Sequence, residues 1–369
     1  MLSLCTAIVR PALHDPLPYI IVAVLSGIGF GCQGKSPSTP VDTRQKAGTP
    51  AVAAPGLATD TQTLVVYSGR SAGLMEPLFK MFEKKTGIKV KARFDKSTQT
   101  LANRIASEGS KTEADVLLAQ DSGYLGALSK AGLLAPLPAT LIAKVPSAFR
   151  DEAGQWTGIS GRARVLVYSP ERVKPDELPA SLADLTDPKW KGRLGWAPSN
   201  ASFQAHISAL RTLWGDEKTR AWLKGVVANE PVVYPKNSPQ VRAVSKGEID
   251  IGWVNHYYLH KLKAADPSLK AANHSFTANG DAGNLMMVSG IGIVKASQRR
   301  STAEQLVSFL LSAEAQTYLA QKVFEYPVLN SIDRHPGVPP IQGKLAQVNQ
   351  EALTDVANTV QILREFGLQ

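Results

Sequence analysis

Two adjacent tyrosines, Tyr257 and Tyr258, stand between two histidines in the segment NHYYLHKL, residues 255–262. Adjacent side chains point in different directions on any regular element, so one core cannot easily take both rings. Aromatic rings mostly serve as packing mass, and the pair could be one buried ring and one surface ring. His256 and His260 are four residues apart, and on a helix they could share a face that binds Zn²⁺. The local pattern shows only these two nitrogen ligands, so it leaves packing, metal binding and surface exposure open.

Residues that support most enzyme chemistry are missing from the body of the sequence. Both cysteines, Cys5 and Cys32, lie near the N-terminus, so the body has no disulfide, no thiolate metal site and no cysteine nucleophile. The sequence contains no G-x-S-x-G elbow, no Walker loop and no H-E-x-x-H motif. The chain is therefore predicted not to be an enzyme, and a hydrolase on an α/β scaffold is disfavoured.

Length and charge narrow the class of protein further. The 369 residues suit two domains of ordinary size, and a hydrophobic fraction of 44% is enough for real cores. A net charge of +10 could attract a nucleic acid, an anionic membrane surface or an anionic ligand. Lysine and arginine are scattered, with no basic block interleaved with aromatics and no helix-turn-helix or RNP-like pattern. Nucleic-acid binding is not predicted, and the charge is interpreted mostly as a solvated surface.

Residues 1–32 are typical of a signal peptide, which a tether follows. Arg10 precedes an apolar run, residues 16–31, of signal-peptide length, which ends in small residues before Cys32. This pattern resembles a bacterial lipoprotein signal, with Cys32 as the acylated new N-terminus. An uncleaved membrane anchor is the alternative, for which the run is somewhat short. Residues 33–61 are rich in Pro, Ser, Thr, Ala and Gly and predict a disordered linker.

Strand and helix patterns alternate from residue 63 onward. The segments TLVVYSG, IKVKARF and ADVLLAQD are typical of strands, and helices are predicted between them, with Gly87 as a C-terminal cap. A second α/β region begins with WTGISGRARVLVYSP, and AEQLVSFLLSAEAQTYLAQ predicts one amphipathic helix. The order β-α-β-α-β predicts an α/β fold, with a parallel sheet that carries helices on its faces.

Several blocks, in this order, resemble the bacterial ferric-iron-binding family, the extracytoplasmic substrate-binding components of ABC importers. They include LVVYSGRSAGLMEPLFKMFEKKTGIKV, WTGISGRARVLVYSPERV and VVYPKNSPQVRAVSKGEIDIGWVNHYYLHKL, and the likeness runs from about residue 63 to about residue 335. The resemblance implies a two-lobe, periplasmic-binding-protein-like fold of type II, with hinge strands and an interlobe cleft. It also implies a monomer, held at the membrane by its lipid anchor, that delivers its ligand to a permease and an ATPase.

The resemblance also implies how the folded body is divided. Lobe 1 is predicted at residues 62–160 and 288–335, and lobe 2 at residues 161–287. The C-terminal helices, residues 336–369, are predicted to pack on lobe 2. The segments WTGISGRARVLVYS and NLMMVSGIGIVK would then cross between the lobes, and the ligand would contact both.

In this family paired tyrosines are iron ligands, and the resemblance assigns that role to Tyr257 and Tyr258. Fe³⁺ is small and hard and favours anionic oxygen, and it can replace the phenol proton that tyrosine otherwise keeps at neutral pH. The family positions of a histidine and a glutamate ligand hold Ser71 and Gln120 here, and Gln120 is kept as a weak metal ligand. The position of a further tyrosine found in some relatives holds Ser202.

Two phenolates would leave bound iron with open positions and a residual positive charge. Carbonate or phosphate is expected to fill them as a synergistic anion, and its predicted donors are Arg70, Ser71, Ser199, Asn200, Asn237 and Asn255. Arg70 could instead form a salt bridge between the lobes, and Asn200 and Asn237 could serve turns or caps. The rival prediction is the same fold binding a non-iron anionic or organic solute, with the tyrosines as cleft walls.

Overall fold

The computed structural model describes residues 63–369, whose strands form an eleven-stranded sheet. The strands are β1 (Thr63–Ser68), β2 (Lys89–Phe94), β3 (Val116–Ala119), β4 (Leu134–Ala135), β5 (Trp156–Tyr168), β6 (Leu194–Trp196), β7 (Val232–Val233), β8 (Ile251–Asn255), β9 (Ala272–His274), β10 (Met286–Val294) and β11 (Tyr326–Pro327). The helices are α1 (Ala72–Thr86), α2 (Thr98–Glu108), α3 (Gly123–Lys130), α4 (Ala139–Ile142), α5 (Ala201–Trp214), α6 (Asp216–Ala228), α7 (Asn237–Lys246), α8 (Tyr257–Ala265), α9 (Arg300–Leu310), α10 (Ala313–Gln321) and α11 (Val356–Glu365).

The N-terminal predictions concern another part of the chain. The signal peptide, the lipidated Cys32 and the linker all lie outside the described residues. Across residues 63–369, no helix combines the length and the apolar character that a membrane span needs.

The sheet is mixed, with the order β2-β1-β3-β10-β5-β8-β6-β7. β4 also pairs with β10, and β9 and β11 pair with β5. Two parallel groups, β2-β1-β3 and β8-β6-β7, are separated by β10 and β5, which run antiparallel to each other and to the groups they join. The predicted α/β class is confirmed, although the sheet is not purely parallel, because two long strands return through its centre.

β5 changes its partner along its length. Residues 156–163 pair with β10, and residues 164–168 pair with β8. One strand therefore belongs to both halves of the sheet, and the change falls between Ala163 and Arg164. In open α/β sheets ligands bind where the topology switches, so side chains near this point are the first to inspect.

Several helices begin or end at capping residues that are adjacent to them in the chain. Gly87 ends α1 with φ of 76°, a left-handed conformation that glycine adopts without strain. Ser97 caps α2, and its Oγ accepts from the Thr100 N–H at 3.2 Å. The single helix predicted from AEQLVSFLLSAEAQTYLAQ is instead two helices, α9 and α10. The break occurs because Ser312 caps α10 by accepting from the Ala315 N–H at 3.3 Å.

Apolar side chains cover both faces of each half of the sheet. Under α1, α9 and α10 the core includes Leu64, Val66, Phe82, Ile291 and Leu306, and under α2 and α3 it includes Val65, Tyr67, Ile105 and Leu125. The other half has a tryptophan-rich core, which α11 joins through Ile362 and Leu363, with Trp190, Trp196, Trp222 and Trp253 at its centre. The lobe limits given above, including the placement of residues 336–369, stay predictions.

Candidate functional site

The paired tyrosines lie where β8 ends and α8 begins. The buried strand β8 ends at Asn255, His256 follows, and Tyr257 and Tyr258 open the helix. Their rings stack with centroids 4.4 Å apart and planes inclined by 27°. Both side chains are partly buried, so the description of one core ring and one surface ring does not fit. A strand–helix junction brings adjacent side chains together in a way that the interior of either element does not.

The protein environment keeps the Tyr257 phenol protonated when no metal ion is bound to it. Burial raises the pKa of the Tyr257 phenol above its ordinary value near 10, and Tyr258 raises it further, while the charge of Arg162 opposes the rise. Loss of the proton at neutral pH then requires a compensating positive charge. A metal that binds through this oxygen must therefore displace a proton.

His256 fixes the start of α8 and is not free to bind a metal. Its Nδ1 accepts from the Ala163 N–H at 3.1 Å, and its Nε2 donates to the Phe324 carbonyl at 2.7 Å. Burial lowers the pKa of His256 to about 4, so the ring is neutral at physiological pH. The Zn²⁺ interpretation of His256 and His260 therefore lacks one of its two ligands. In the part of the chain that the structure describes, no three His, Cys, Asp or Glu side chains are grouped to hold a metal.

A buried arginine gathers three of the predicted anion donors. Arg164 donates to Asn255 Oδ1 and Ser202 Oγ, each at 3.2 Å, and to Asn237 Oδ1 at 3.4 Å. Asn200 Oδ1 accepts from Ser202 Oγ at 2.6 Å and from Asn237 Nδ2 at 3.3 Å. The structure thus brings Asn200, Asn237 and Asn255 into one polar cluster, to which β5, α5, α7 and β8 all contribute.

Within residues 63–369, no carboxylate balances the charge of Arg164. Burial lowers the pKa of Arg164 to about 9, and the acidic phenols of Tyr258 and Tyr257 oppose this shift. The guanidinium remains cationic at neutral pH, and among residues 63–369 its Nε has no hydrogen-bond partner. A buried cation without a carboxylate partner in residues 63–369 favours a bound anion, or a phenolate where a bound metal ion has displaced the phenol's proton.

A second set of buried charges surrounds Arg162, on the same face of β5 as Arg164. Arg162 donates to Asp121 Oδ1 at 2.6 Å and also to the Gln120 carbonyl. Burial would lower the pKa of Arg162, but Asp121, Glu325 and Tyr257 together hold it above its ordinary value. One cation therefore acts on the carboxylate of Asp121 and on the phenol of Tyr257.

Arg70 is enclosed and already has partners. Its guanidinium donates to Ser289 Oγ at 2.5 Å and to Glu325 Oε1 at 2.9 Å. Glu325 Oε2 accepts from Ser160 Oγ at 2.5 Å. The preceding Phe324 has a left-handed backbone with φ of 64°, which is rare for a bulky residue. Arg70 thus forms an ion pair in this arrangement, and anion binding by Arg70 stays a prediction.

The remaining predicted residues are less closely associated with the cluster. Gln120 takes part through its carbonyl, which accepts from Arg162 and from Ser289 Oγ at 3.1 Å. Ser71 precedes α1 and is exposed. Ser199 is also exposed, and the next residue, Asn200, caps α5 by accepting from the Ser202 N–H at 3.1 Å. The roles predicted for Gln120, Ser71 and Ser199 stay predictions.

Three buried charges of this region, Arg162, Arg164 and Glu325, are absent from the predicted site. The segment GRAR inside the apolar strand β5 carried a signal for the two arginines. Residues two apart on a strand share a face, and cations on a buried face need partners. Glu325 carried no local signal, because Arg70 lies 255 residues earlier in the chain.

Comparison with known proteins assigns this arrangement to a family. Residues 111–349 match the family described as bacterial extracellular solute-binding protein. The Fe(3+)-binding periplasmic protein of Serratia marcescens is 33% identical over 310 residues, which cover 83% of this chain and 91% of that protein. Iron-bound HitA from Pseudomonas aeruginosa has a TM-score of 0.73 and 34% identity, covering 83% of this chain and 99% of that one. Trichodesmium IdiA (FutA), in complex with iron and citrate, has a TM-score of 0.73 and 30% identity, covering 83% and 100%.

The fold is that of a type II periplasmic binding protein, as predicted. The chain belongs to the family of bacterial extracellular solute-binding proteins, and the proteins named above place it among the ferric-iron-binding members. These relatives are solute-binding transport proteins and not enzymes.

Proposed function

We propose that this protein binds ferric iron outside the cytoplasm and delivers it to the permease and ATPase of an ABC importer. The phenolates of Tyr257 and Tyr258 are the protein's anionic iron ligands, and Gln120 is a weak neutral one. The proposal rests chiefly on one observation, the stacking of two phenols 4.4 Å apart next to buried arginines. The protein works as a monomer that Cys32 anchors to the membrane through lipid.

A synergistic anion completes the site in this proposal. Two phenolates leave Fe³⁺ with one positive charge, and buried Arg164 adds another, so a doubly charged anion balances both. Carbonate and phosphate fit this requirement, and the Trichodesmium complex contains citrate with its iron. Asn237 and Asn255 already contact the Arg164 guanidinium, and Asn200 joins them through Ser202 and Asn237. Ser199 and Ser71 are further donors. Arg70 would join them only if its pair with Glu325 opened.

A second candidate function is binding of an anionic solute without iron. It is supported by Arg164, which has no carboxylate partner among residues 63–369 and could bind such a solute directly. It is also consistent with Ser71 and Gln120, which are neutral where the family resemblance places a histidine and a glutamate. In that case the two tyrosines form walls of the site.

Titration with ferric citrate separates these functions. Tyrosinate bound to ferric iron absorbs visible light, so the purified protein should become coloured in proportion to the iron bound. About two protons should be released per iron, because a tyrosine phenol ordinarily keeps its proton at neutral pH and must lose it to bind the metal as phenolate. Protein-bound iron without colour or proton release would remove the tyrosines from the ligand set. Tight binding of carbonate, phosphate or citrate alone, with no iron retained, would establish the second candidate.

Replacing Arg164 should change the response to the anion. Arg164→Gln removes the buried charge. The gain in iron affinity on addition of carbonate or phosphate should then be roughly tenfold smaller than in the unchanged protein, which corresponds to the loss of about one charge-assisted pair. Iron affinity would be measured across anion concentrations, with thermal unfolding as a check on folding. Arg220→Gln, which removes an exposed arginine paired with Glu365, is the matched control. A full anion response in Arg164→Gln would exclude Arg164 from anion binding.

A further inference from the structure

We infer that His256 positions Tyr257 and Tyr258, because its imidazole supplies the hydrogen bond that lets the chain turn from β8 directly into α8. This role rests on the proposed function, in which both tyrosines bind iron as phenolates. His256 acts only through the two residues that follow it in the chain and is not itself a ligand.

The register of the sheet places His256 opposite Ala163. Arg164 pairs with Asn255 in the antiparallel ladder of β5 and β8, so the next pair along the two strands joins Ala163 to His256. The Arg164 N–H donates to the Leu285 carbonyl at 3.0 Å, on the side of β10. The N–H of Ala163 therefore points the other way, toward β8, and Ala163 and His256 are expected to exchange two backbone hydrogen bonds.

The imidazole replaces one of these two backbone bonds. The first is present, from the His256 N–H to the Ala163 carbonyl at 3.0 Å. His256 has helical backbone angles, φ −53° and ψ −41°, and its carbonyl accepts from Asn273 Nδ2 at 2.8 Å. The buried N–H of Ala163 donates instead to His256 Nδ1 at 3.1 Å. The side chain thus completes the ladder of β5 while the backbone already begins a helix.

This exchange determines where the two phenols lie. If residue 256 kept an extended backbone and offered its carbonyl, the strand would continue, and Tyr257 and Tyr258 would point to opposite faces of the sheet. If residue 256 turned without an acceptor for the Ala163 N–H, a buried donor would stay unpaired at a cost of about 1–3 kcal/mol. With the imidazole as acceptor, α8 begins directly after the junction, and the two rings stack 4.4 Å apart.

The other ring nitrogen holds the imidazole in place. Nε2 donates to the Phe324 carbonyl at 2.7 Å, and the ring of Tyr326 lies 4.6 Å from the imidazole. Between these two residues, Glu325 forms its buried pair with Arg70. A backbone N–H only donates and a carbonyl only accepts, so the two bonds also fix the tautomer, with the proton on Nε2. A ring held at both nitrogens leaves the following residue, Tyr257, little freedom.

Two amide substitutions separate the two hydrogen bonds. The side-chain oxygen of asparagine is bonded to Cγ, as Nδ1 is in histidine, so His256→Asn can keep the bond from Ala163 and loses the bond to Phe324. The longer amide of glutamine reaches the position of Nε2, so His256→Gln can keep the bond to Phe324 and loses the bond from Ala163. His256→Phe keeps a ring and loses both bonds. We expect His256→Asn to resemble the unchanged protein more closely than the other two variants do.

NMR of the tyrosine rings tests the positioning without iron. With carbon-13 at the ring carbon that carries the hydroxyl, Tyr257→Phe and Tyr258→Phe identify the two signals by their loss. His256→Asn and His256→Gln both lack the imidazole ring, so a difference between them reports the hydrogen bond. Both signals should move clearly further from their positions in the unchanged protein in His256→Gln. Equal displacement in the two variants, or a larger one in His256→Asn, would overturn the inference.

Iron affinity and the visible tyrosinate band test the consequence for binding. His256→Gln and His256→Phe should lose about 10–100-fold in iron affinity with a shifted band, as when a residue that orients a metal ligand is removed, and His256→Asn should lose less than about tenfold. His274→Phe, which removes the bond from a histidine Nε2 to the Pro179 carbonyl, is the matched control and should change neither.

The outcomes separate this role from the proposed function. An unchanged affinity and band in a folded His256→Gln, with thermal unfolding as the check on folding, would overturn the inference. The comparison of His256→Asn with His256→Gln decides it even where His256→Phe does not fold. If the unchanged protein binds no iron, the proposed function fails, and the tyrosine signals alone decide whether His256 positions the pair.

Discussion

Tight ferric binding should be lost when either tyrosine of the pair becomes phenylalanine. Tyr257→Phe and Tyr258→Phe keep the ring and its stacking but remove one phenolate from a metal with few other anionic ligands. Loss of a partner that only supports a ligand costs about 10–100-fold in metal affinity, so loss of a direct ligand should exceed roughly a hundredfold. The visible band should disappear or weaken strongly, and each variant should release about one proton fewer per iron. Iron affinity against a competing chelator, measured with absorbance, checks both results.

The neighbouring Tyr326 provides a matched control. Its ring lies 4.6 Å from that of His256, and its hydroxyl donates to the Pro339 carbonyl at 2.8 Å. Tyr326→Phe should therefore cost about 1 kcal/mol of stability, the net value of one hydrogen bond, and leave iron affinity and colour unchanged. If Tyr257→Phe and Tyr258→Phe both bind iron as the unchanged protein does, the two tyrosines line the site without binding the metal. Binding of an anionic solute then replaces tyrosinate-mediated iron binding as the proposed function.

Loss of the Glu325 charge should destabilise the fold strongly. Glu325→Gln keeps the shape of the side chain but leaves the guanidinium of Arg70, which is 1% exposed, without its counter-ion. Breaking a buried pair from one side costs about 3–5 kcal/mol, because an uncompensated charge stays buried. Denaturant unfolding gives the free energy of unfolding directly. Glu304→Gln, which breaks an exposed pair with Arg300, should cost less than about 1 kcal/mol.

The same variant has a definite signature against pH. Burial would raise the pKa of Glu325, but Arg70 and Arg162 together hold it below its ordinary value of 4.5. The Glu325 carboxylate therefore contributes its full stabilisation at pH values above its ordinary pKa. This contribution to the free energy of unfolding is lost as the pH falls through the lower pKa of the folded state. The difference in unfolding free energy between the unchanged protein and Glu325→Gln should shrink in acid. A difference that is small at neutral pH, or that grows in acid, would contradict a stabilising ion pair.

A double variant identifies the cause of the destabilisation. Arg70→Met combined with Glu325→Gln removes both charges, so it should be less destabilised than Glu325→Gln alone. If the two changes simply add, packing around the side chains and not the buried charge determines the cost.

Features set by neighbours in the chain could be predicted from the sequence. The α/β class follows from alternating strand and helix patterns, and the predicted cap at Gly87 depends on a hydrogen bond within one turn. The tyrosine pair and Asn255 were identified from the sequence, and the structure places them at the junction of β8 and α8. The one helix predicted across residues 303–321 was wrong, because the apolar period continues through Ser312 and hides its cap.

Only the tertiary structure decided which charges meet. Arg164 joins Asn200, Asn237 and Asn255 because β5 changes its partner at Ala163, and no local period encodes that change. Arg70 and Glu325 come together because β11 pairs with β5 and places Glu325 beside the end of β1. Contacts between residues far apart in the chain depend on how whole strands are ordered in the sheet. The sequence therefore determines which residue types are present at the site, whereas the sheet topology determines which charged and polar side chains contact each other.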